Sequence, residues 1–426
     1  MAIEQRCAPT AASERGIPTH PTLSAHIASK SIAVLTFVLA LSSCAPSPTP
    51  TATATPAAAP PAVQAVPFDA AVLAAANTVL STAPAANAGR QLVVIDPLVD
   101  GVTGEQSHAT KTIQSRIVAL AREKYPQFEI VPFSPEAVNK APYVMVGTFT
   151  AVNAQGQTSG DREAYRFCLV MADLRSGKTV AKGVARVKKD NVDTTPIDFF
   201  RDSPAWSEDA NIKGYISTCQ ATKVGDPISP VYVNGILTAS VVSEAIEAYD
   251  AGRYRDAASL YANAQKMPGG EQLRVYNGLY LANWKLARKD QAAEAFGKVV
   301  DYGLANGRLG VKLLFRPGST AFIANEQLSG PYDMWLRQIA TRSARNGACL
   351  QVTGNTSKSG SAVLNERLSL LRAEYVKGRL EAVSTQLGGR VIAAGVGSQA
   401  NLIGTGTDDS TDALDRRVEF KVIPSC

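Results

Sequence analysis

Asn365, Ser369 and Arg372 recur at helical spacing, and the small polar residues Gly354, Asn355, Thr356 and Ser357 come just before them. Asn365 and Arg372 are seven residues apart, about two helical turns, so their side chains point the same way. A guanidinium two turns from an amide, beside a loop with free backbone N–H groups, has the parts needed to hold a carboxylate.

Those residues need a strand to deliver the loop and a helix to carry the polar face. CLQV (349–352) reads as the strand, and 362–386 reads as an amphipathic helix. Leu364, Leu368, Leu371 and Tyr375 form an apolar stripe on it, expected to face the core, with Asn365, Ser369 and Arg372 on a neighbouring polar face.

The remaining chemistry argues against catalysis. His20 and His26 precede an apolar run that reads as a removed leader, which leaves His108 as the one histidine of the mature chain. A Ser–His–Asp or Cys–His set would have to use it, far in sequence from the polar helix. There is no HExxH, no phosphate-binding glycine loop and no CxxC pair. We therefore expect no enzyme activity, no cofactor and no metal.

The chain has 426 residues, 45% hydrophobic and 19% charged, with a formal charge of +6. That is an ordinary globular balance, long enough for two or three domains. The charge is too mild and too dispersed for a nucleic-acid binder. SIAVLTFVLALSS (31–43) follows Lys30. It is shorter than the roughly 20 apolar residues of a spanning helix and fits the apolar region of a signal peptide. Its end, LSSC, resembles a bacterial lipobox, which would make Cys44 the acylated first residue of a membrane-anchored chain. Residues 45–66, rich in Pro, Ala and Thr, read as an extended tether.

Export also fits the cysteines. Cys168, Cys219, Cys349 and Cys426 remain in the mature fold, an even number that allows three pairings. Nearest-neighbour logic favours Cys168 with Cys219 and Cys349 with Cys426.

The elements divide the chain into five parts: 1–43 signal peptide, 44–87 tether and short helix, 88–228 α+β domain, 229–304 helical repeats, and 305–426 a βαβαβ-type domain. The fold class expected is thus multidomain α+β. In the first domain, Ile113, Ile117, Leu120 and Ala121 mark the core face of a helix over 107–126, and a helix capped by Ser207 is expected over 207–221. In the repeats, 247–264 and 281–300 align with an offset of 35, matching Gly252 to Ala287, Ala257 to Ala292, Tyr261 to Phe296 and Ala264 to Val299.

Three resemblances add to this. GNTS at 354–357, the helix run NERLSLLRA at 365–373, GVGSQ at 395–399 and DRRVEF at 415–420 come in the order of an OmpA-like peptidoglycan-binding domain over roughly 310–426. That resemblance implies non-covalent binding of the peptidoglycan stem peptide, by Gly354, Asn355, Thr356, Ser357, Asn365 and Arg372, with Arg416 or Arg417 on the same side. In the family an Asp pairs with the free ammonium of diaminopimelate; that position is Ser357 here. The family's carboxylate-binding Arg falls on Arg372. Asp408, Asp409 and Asp412, in the loop before the last strand, are the candidates to supply the missing anion. The 35-residue offset resembles tetratricopeptide repeats, which implies envelope-protein partners for the middle of the chain. VVIDPL, AxYVMVGTF and VMADLRSGKTVA resemble, more loosely, the periplasmic domain of lipoproteins that activate penicillin-binding proteins.

The expected role is an outer-membrane lipoprotein on the periplasmic face, linking membrane to cell wall. The alternatives are a scaffold or assembly subunit of an envelope complex, or an accessory activator of a peptidoglycan synthase, with wall binding weakened or lost.

Overall fold

The computed structural model describes residues 64–84, 89–316, 318–407 and 409–426. The signal segment, Cys44, most of the tether and Asp408 lie outside the described residues.

The first half begins with helix α1 (Phe68–Thr82), strand β1 (Gln91–Ile95), α2 (His108–Lys124), β2 (Phe128–Val131), α3 (Pro135–Lys140), β3 (Tyr143–Val152), β4 (Ala164–Asp173) and β5 (Lys178–Lys188). The strands form a mixed sheet of order β2-β1-β3-β4-β5. β1 runs parallel to β2 and β3, and β3, β4 and β5 follow as antiparallel neighbours. β3 is buried along its whole length, because α1 and α2 cover one face of the sheet and later helices cover the other. Ser107 caps α2 through a capping box with Thr110, and Ile113, Ile117, Leu120 and Ala121 are buried as the spacing requires.

Next come α4 (Asp198–Asp202), β6 (Ala205–Trp206) and α5 (Ala210–Gln220). The cap of α5 is Asp209, not Ser207: the Asp209 carboxylate accepts from the Asn211 and Ile212 amides. Ser207 instead donates its hydroxyl to the Arg308 carbonyl at 2.9 Å. Two neighbouring oxygens could each cap this start, and the one not engaged elsewhere does so. The Cys168–Cys219 disulfide ties β4 to α5 across a Cα separation of 6.2 Å.

Four helices follow: α6 (Pro230–Asp250), α7 (Tyr254–Ala264), α8 (Leu273–Lys285) and α9 (Lys289–Ala305). The aligned positions of the internal repeat are equivalent in burial. Ala257, Ala292, Tyr261, Phe296, Ala264 and Val299 are all fully buried. Gly252 and Ala287, the aligned turn residues, both have positive φ, at 72° and 56°. Alanine rarely adopts that conformation, so the turn geometry overrides the residue preference there.

The C-terminal part consists of β7 (Arg308–Val311), α10 (Glu326–Ser329), α11 (Tyr332–Arg345), β8 (Cys349–Gly354), α12 (Ala362–Val383), β9 (Val391–Gly395) and β10 (Val418–Ile423). Its sheet has the order β6-β7-β10-β8-β9. The last strand inserts between β7 and β8, antiparallel to both. Ile423 pairs with Cys349, and the Cys349–Cys426 disulfide, with a Cα separation of 5.3 Å, pins the chain end just beyond.

β6 is an edge that the sequence did not signal. Ala205 and Trp206 pair with Val311 and Gly310 of β7, so the C-terminal sheet includes residues from far upstream. One apolar core runs from Ile197 through the α6–α9 helices to Phe420. Within it Trp335 of α11 donates to the Tyr280 phenol at 3.0 Å and stacks on Phe296 of α9 at 5.4 Å. No helix among the described residues is long and apolar enough to cross a membrane.

Candidate functional site

Helix α12 faces inward with the wrong side for an ordinary amphipathic helix. Asn365, Ser369 and Arg372 are buried, together with Ala373, Val376 and Leu380. Leu364 and Leu371, expected in the core, are 67% and 40% exposed; Leu368 and Tyr375 are only partly buried. The expectation of an inward apolar stripe is therefore wrong in the first turns of α12. The first turns pack by their polar face, against the loops after β8 and β9, while Ala373, Val376 and Leu380 further along join the apolar core.

Backbone approaches that helix closely at two points. A Cβ on Gly354, at the end of β8, would come within 2.0 Å of the Ser369 carbonyl, and one on Gly395, at the end of β9, within 2.3 Å of the Leu370 amide. Only glycine admits such contacts. Ser369 then uses its hydroxyl to accept from the Gly397 amide at 2.9 Å and to donate to Glu366 O at 2.7 Å.

The loop after β8 is held from several sides. Asn355 donates its amide to Arg417 O at 3.0 Å, and Thr356 donates to Gly397 O at 2.9 Å. Asn365 Nδ2 donates to Ser359 O at 2.8 Å and to Ser357 O at 3.4 Å. Asn365 thus clamps the loop from the helix side. Ser357 Oγ lies 3.2 Å from Ser359 Oγ. Asn355 Oδ1 and Thr356 Oγ1 are buried with no hydrogen-bond partner, unusual for buried polar atoms.

Arg372 crosses under a third loop. Its guanidinium carbon lies 4.8 Å from the Phe315 ring centroid, Nε donates to Ser319 O at 3.2 Å, and Nη2 donates to Arg316 O at 3.4 Å. The aromatic face and the two carbonyls fix the plane of the fork. The structure thus puts Asn365, Ser369 and Arg372 on the buried face of α12, with Asn365 against Ser357 and Ser359 near its start and Arg372, two turns further on, against Phe315 and Ser319.

The two basic residues before β10 do different work. Arg417 has no exposed surface. It donates to Leu414 O and Ala400 O, both at 3.1 Å, and to Glu419 Oε1 at 2.6 Å. Arg308 adds a two-pronged bond to Glu419 at 2.8 and 2.9 Å. Burial works to raise the Glu419 carboxyl, and the two guanidiniums outweigh it, holding it below its ordinary value. Arg417 is therefore a brace behind the loops. Arg416 is half-buried and donates to Asp409 O at 2.8 Å.

The acidic loop is also committed. Asp415 accepts from the Leu402, Ile403 and Gly404 amides at 2.6, 3.0 and 2.7 Å, an anchor that sequence reading missed. Its signal was an acidic residue next to Arg416 and Arg417. Asp412 is fully buried and receives the Thr405 hydroxyl. Asp409 accepts from the Thr411 amide at 2.8 Å; its hydrogen bonds to Thr411 keep its carboxyl below the ordinary value. Across from these loops, the β3–β4 turn of the first sheet places Asp161 in an ion pair with Lys358.

Comparison with solved structures gives short matches. The peptidoglycan-associated lipoprotein from Burkholderia pseudomallei is 21% identical over 28% of this chain and 93% of that one, with a TM-score of 0.23. The cell wall anchor of the T6SS from Pseudomonas aeruginosa is 26% identical over 27% of this chain and 80% of that one, with a TM-score of 0.23. The OmpA-like domain of FopA1 from Francisella tularensis is 20% identical over 27% of this chain and 75% of that one, with a TM-score of 0.20. No protein-family model matches the chain, and no curated protein does so.

Proposed function

We propose that this protein binds the stem peptide of peptidoglycan non-covalently at the inward face of α12, as part of an anchor between a membrane and the cell wall. The observation that carries the reading is Arg372, set on Phe315 midway along α12 and buried on the same helix face as Asn365 and Ser369. A guanidinium fixed in this way is suited to the two oxygens of a carboxylate. The 354–357 loop, with buried oxygens on Asn355 and Thr356 that lack partners, is held by Asn365 on the same face of the helix. The residue order GNTS, NERLSLLRA, DRRVEF supports the same class of ligand by resemblance.

In this reading Cys44 carries the lipid and 45–66 spans from the membrane to the folded part. The α6–α9 helices are a tetratricopeptide-like pair of repeats that offers a surface to envelope proteins. Mass spectrometry of the mature N-terminus checks the anchor: a diacylglyceryl adduct on Cys44 supports it, and an unmodified N-terminus rejects it. Sedimentation of the whole mature chain with purified sacculi checks the main claim. Co-sedimentation that is lost in Arg372→Ala supports it; equal sedimentation of both proteins sinks the role of Arg372.

A second reading has its own support. Val363, Leu364 and Leu371 leave an apolar strip exposed on the outer face of α12, which suits a protein contact better than a sugar–peptide mesh. In that reading the protein is a scaffold subunit of an envelope complex. Wild-type chain that ignores sacculi would favour it.

A further inference from the structure

The outer face of α12 carries a feature of its own, opposite the buried polar side. Val363 and Leu364 are 77% and 67% exposed, and Leu370 and Leu371, two turns on, are 37% and 40% exposed. Arg367 and Glu374 are exposed on the same side, since residues three, four and seven apart share one face of a helix. Among the described residues neither side chain has an ion-pair or hydrogen-bond partner. They lie roughly 10 Å apart along the axis, too far to pair with each other. Lys377, one turn beyond Glu374, is engaged by Glu381 at 3.8 Å.

Gly378 is an independent sign. It lies in the body of α12 and is exposed, and a Cβ built on it would meet no atom within 4 Å. Its φ is not in the positive region either. Glycine is the poorest helix former after proline, and nothing within the fold requires it here. What glycine does offer is a place where a second backbone or side chain can approach closely.

These positions have a two-fold arrangement. Arg367 and Glu374 lie equally far to either side of the midpoint between Leu370 and Leu371, and so do Val363 and Gly378. We propose that a second copy of this chain docks on the outer face of α12, helix antiparallel to helix, about an axis at that midpoint. In this register Arg367 of each copy meets the partner's Glu374. Leu370 and Leu371 pack across the axis, and Val363 enters the space beside the partner's Gly378. The contact is isologous, so each pairing occurs twice. A single helix pair falls below the roughly 1,200 Å² at which standard interfaces begin, so the dimer is weak, and its exposed ion pairs make it salt-sensitive. Asn365 and Arg372 stay on the opposite, buried face, which makes the proposal independent of wall binding.

Sedimentation equilibrium of the whole mature chain tests it, with the melting temperature of each variant as the check on folding. The expected result is a monomer–dimer equilibrium in the micromolar to submillimolar range. Arg367→Glu alone and Glu374→Arg alone each weaken it tenfold or more. The two reversals together restore it to within a few fold of wild type. Gly378→Leu weakens it tenfold or more with the melting temperature unchanged or raised. A chain that stays monomeric at submillimolar concentration overturns the proposal and leaves this face to a different partner. A dimer that neither reversal weakens, or a double reversal that dimerises no better than the single ones, also overturns it. If the double reversal fails to fold, mild oxidation of Leu371→Cys decides: a disulfide-linked dimer supports the register, and monomer alone overturns it.

Discussion

The Arg372 guanidinium carbon lies 4.8 Å from the centre of the Phe315 ring, so a residue from the loop after β7 sets the orientation of the one arginine on the buried face of α12. This pairing gives a specific expectation. Phe315→Leu removes the stacking face and leaves the charge; binding of a wall peptide should weaken by a few fold, since exposed to partly buried cation–π contacts contribute about 0.5–2 kcal/mol. Arg372→Lys should weaken it further, because an ammonium has no planar fork. Calorimetry with a soluble stem peptide measures both; unchanged affinity in Phe315→Leu would show that the ring does not orient the group.

Ser357 leaves an ammonium-bearing ligand without an anionic partner at that position. Ser357→Asp should tighten binding of a stem peptide with a free side-chain amine by about tenfold, the equivalent of roughly 1.4 kcal/mol. The same peptide with its amine acetylated should show no gain. A gain for both peptides would mean the substitution acts through the loop and not through the amine.

The C-terminal sheet depends on upstream residues. Trp335 is buried between Phe296 and Tyr280, and Trp206 lies at the sheet edge. Trp335→Ala should cost about 3–5 kcal/mol, read by urea unfolding of the whole chain. A fragment of 305–426 alone should melt well below the same segment carried with 198–304. Equal melting temperatures would show the upstream packing to be dispensable.

Acidity should stabilise the junction of the first sheet with α6. Asp96, buried and bonded to the Tyr232 phenol at 2.8 Å, has its carboxyl pushed up to about 7, chiefly by burial. Its folded value exceeds its unfolded one, so the folded state binds the proton more tightly. Stability from this group is fully present below about pH 4 and is lost as pH rises towards 7, at up to roughly 1.4 kcal/mol per pH unit. Asp96→Asn should flatten the fall in melting temperature between those values by that share. A slope identical to wild type would place the titration elsewhere.

Much of the architecture was legible because burial follows period. The β3 run YVMVGTFTAV and the Ile113, Ile117, Leu120 face of α2 are apolar where the fold hides them. α12 was misread for the same reason. Its inner face carries an amide, a hydroxyl and a guanidinium, each bonded to backbone from a neighbouring loop, while Leu364 and Leu371 face out. Periodicity reports where apolar residues recur, not which face has partners. β6 was invisible because two residues have no alternation, and Ala205 and Trp206 are a strand only where β7 pairs with them. Of the candidate site, only the shared helix face of Asn365, Ser369 and Arg372 could be read from spacing. The brace of Arg417 on Glu419 and the Asp415 anchor could not, since those bonds close only when β10 inserts between β7 and β8.

The central claim is that Arg372 holds a carboxylate of the wall peptide. Its most direct measurement is a calorimetric titration of the whole mature chain with a soluble stem peptide, once with a free terminal carboxylate and once with that group amidated. The account predicts that wild-type protein binds the free acid at least tenfold more tightly than the amide, a charge-assisted bond being worth roughly 1.5–3 kcal/mol, and that Arg372→Ala binds both equally weakly. Wild-type protein that binds acid and amide alike, or an Arg372→Ala protein that still prefers the acid, would contradict it.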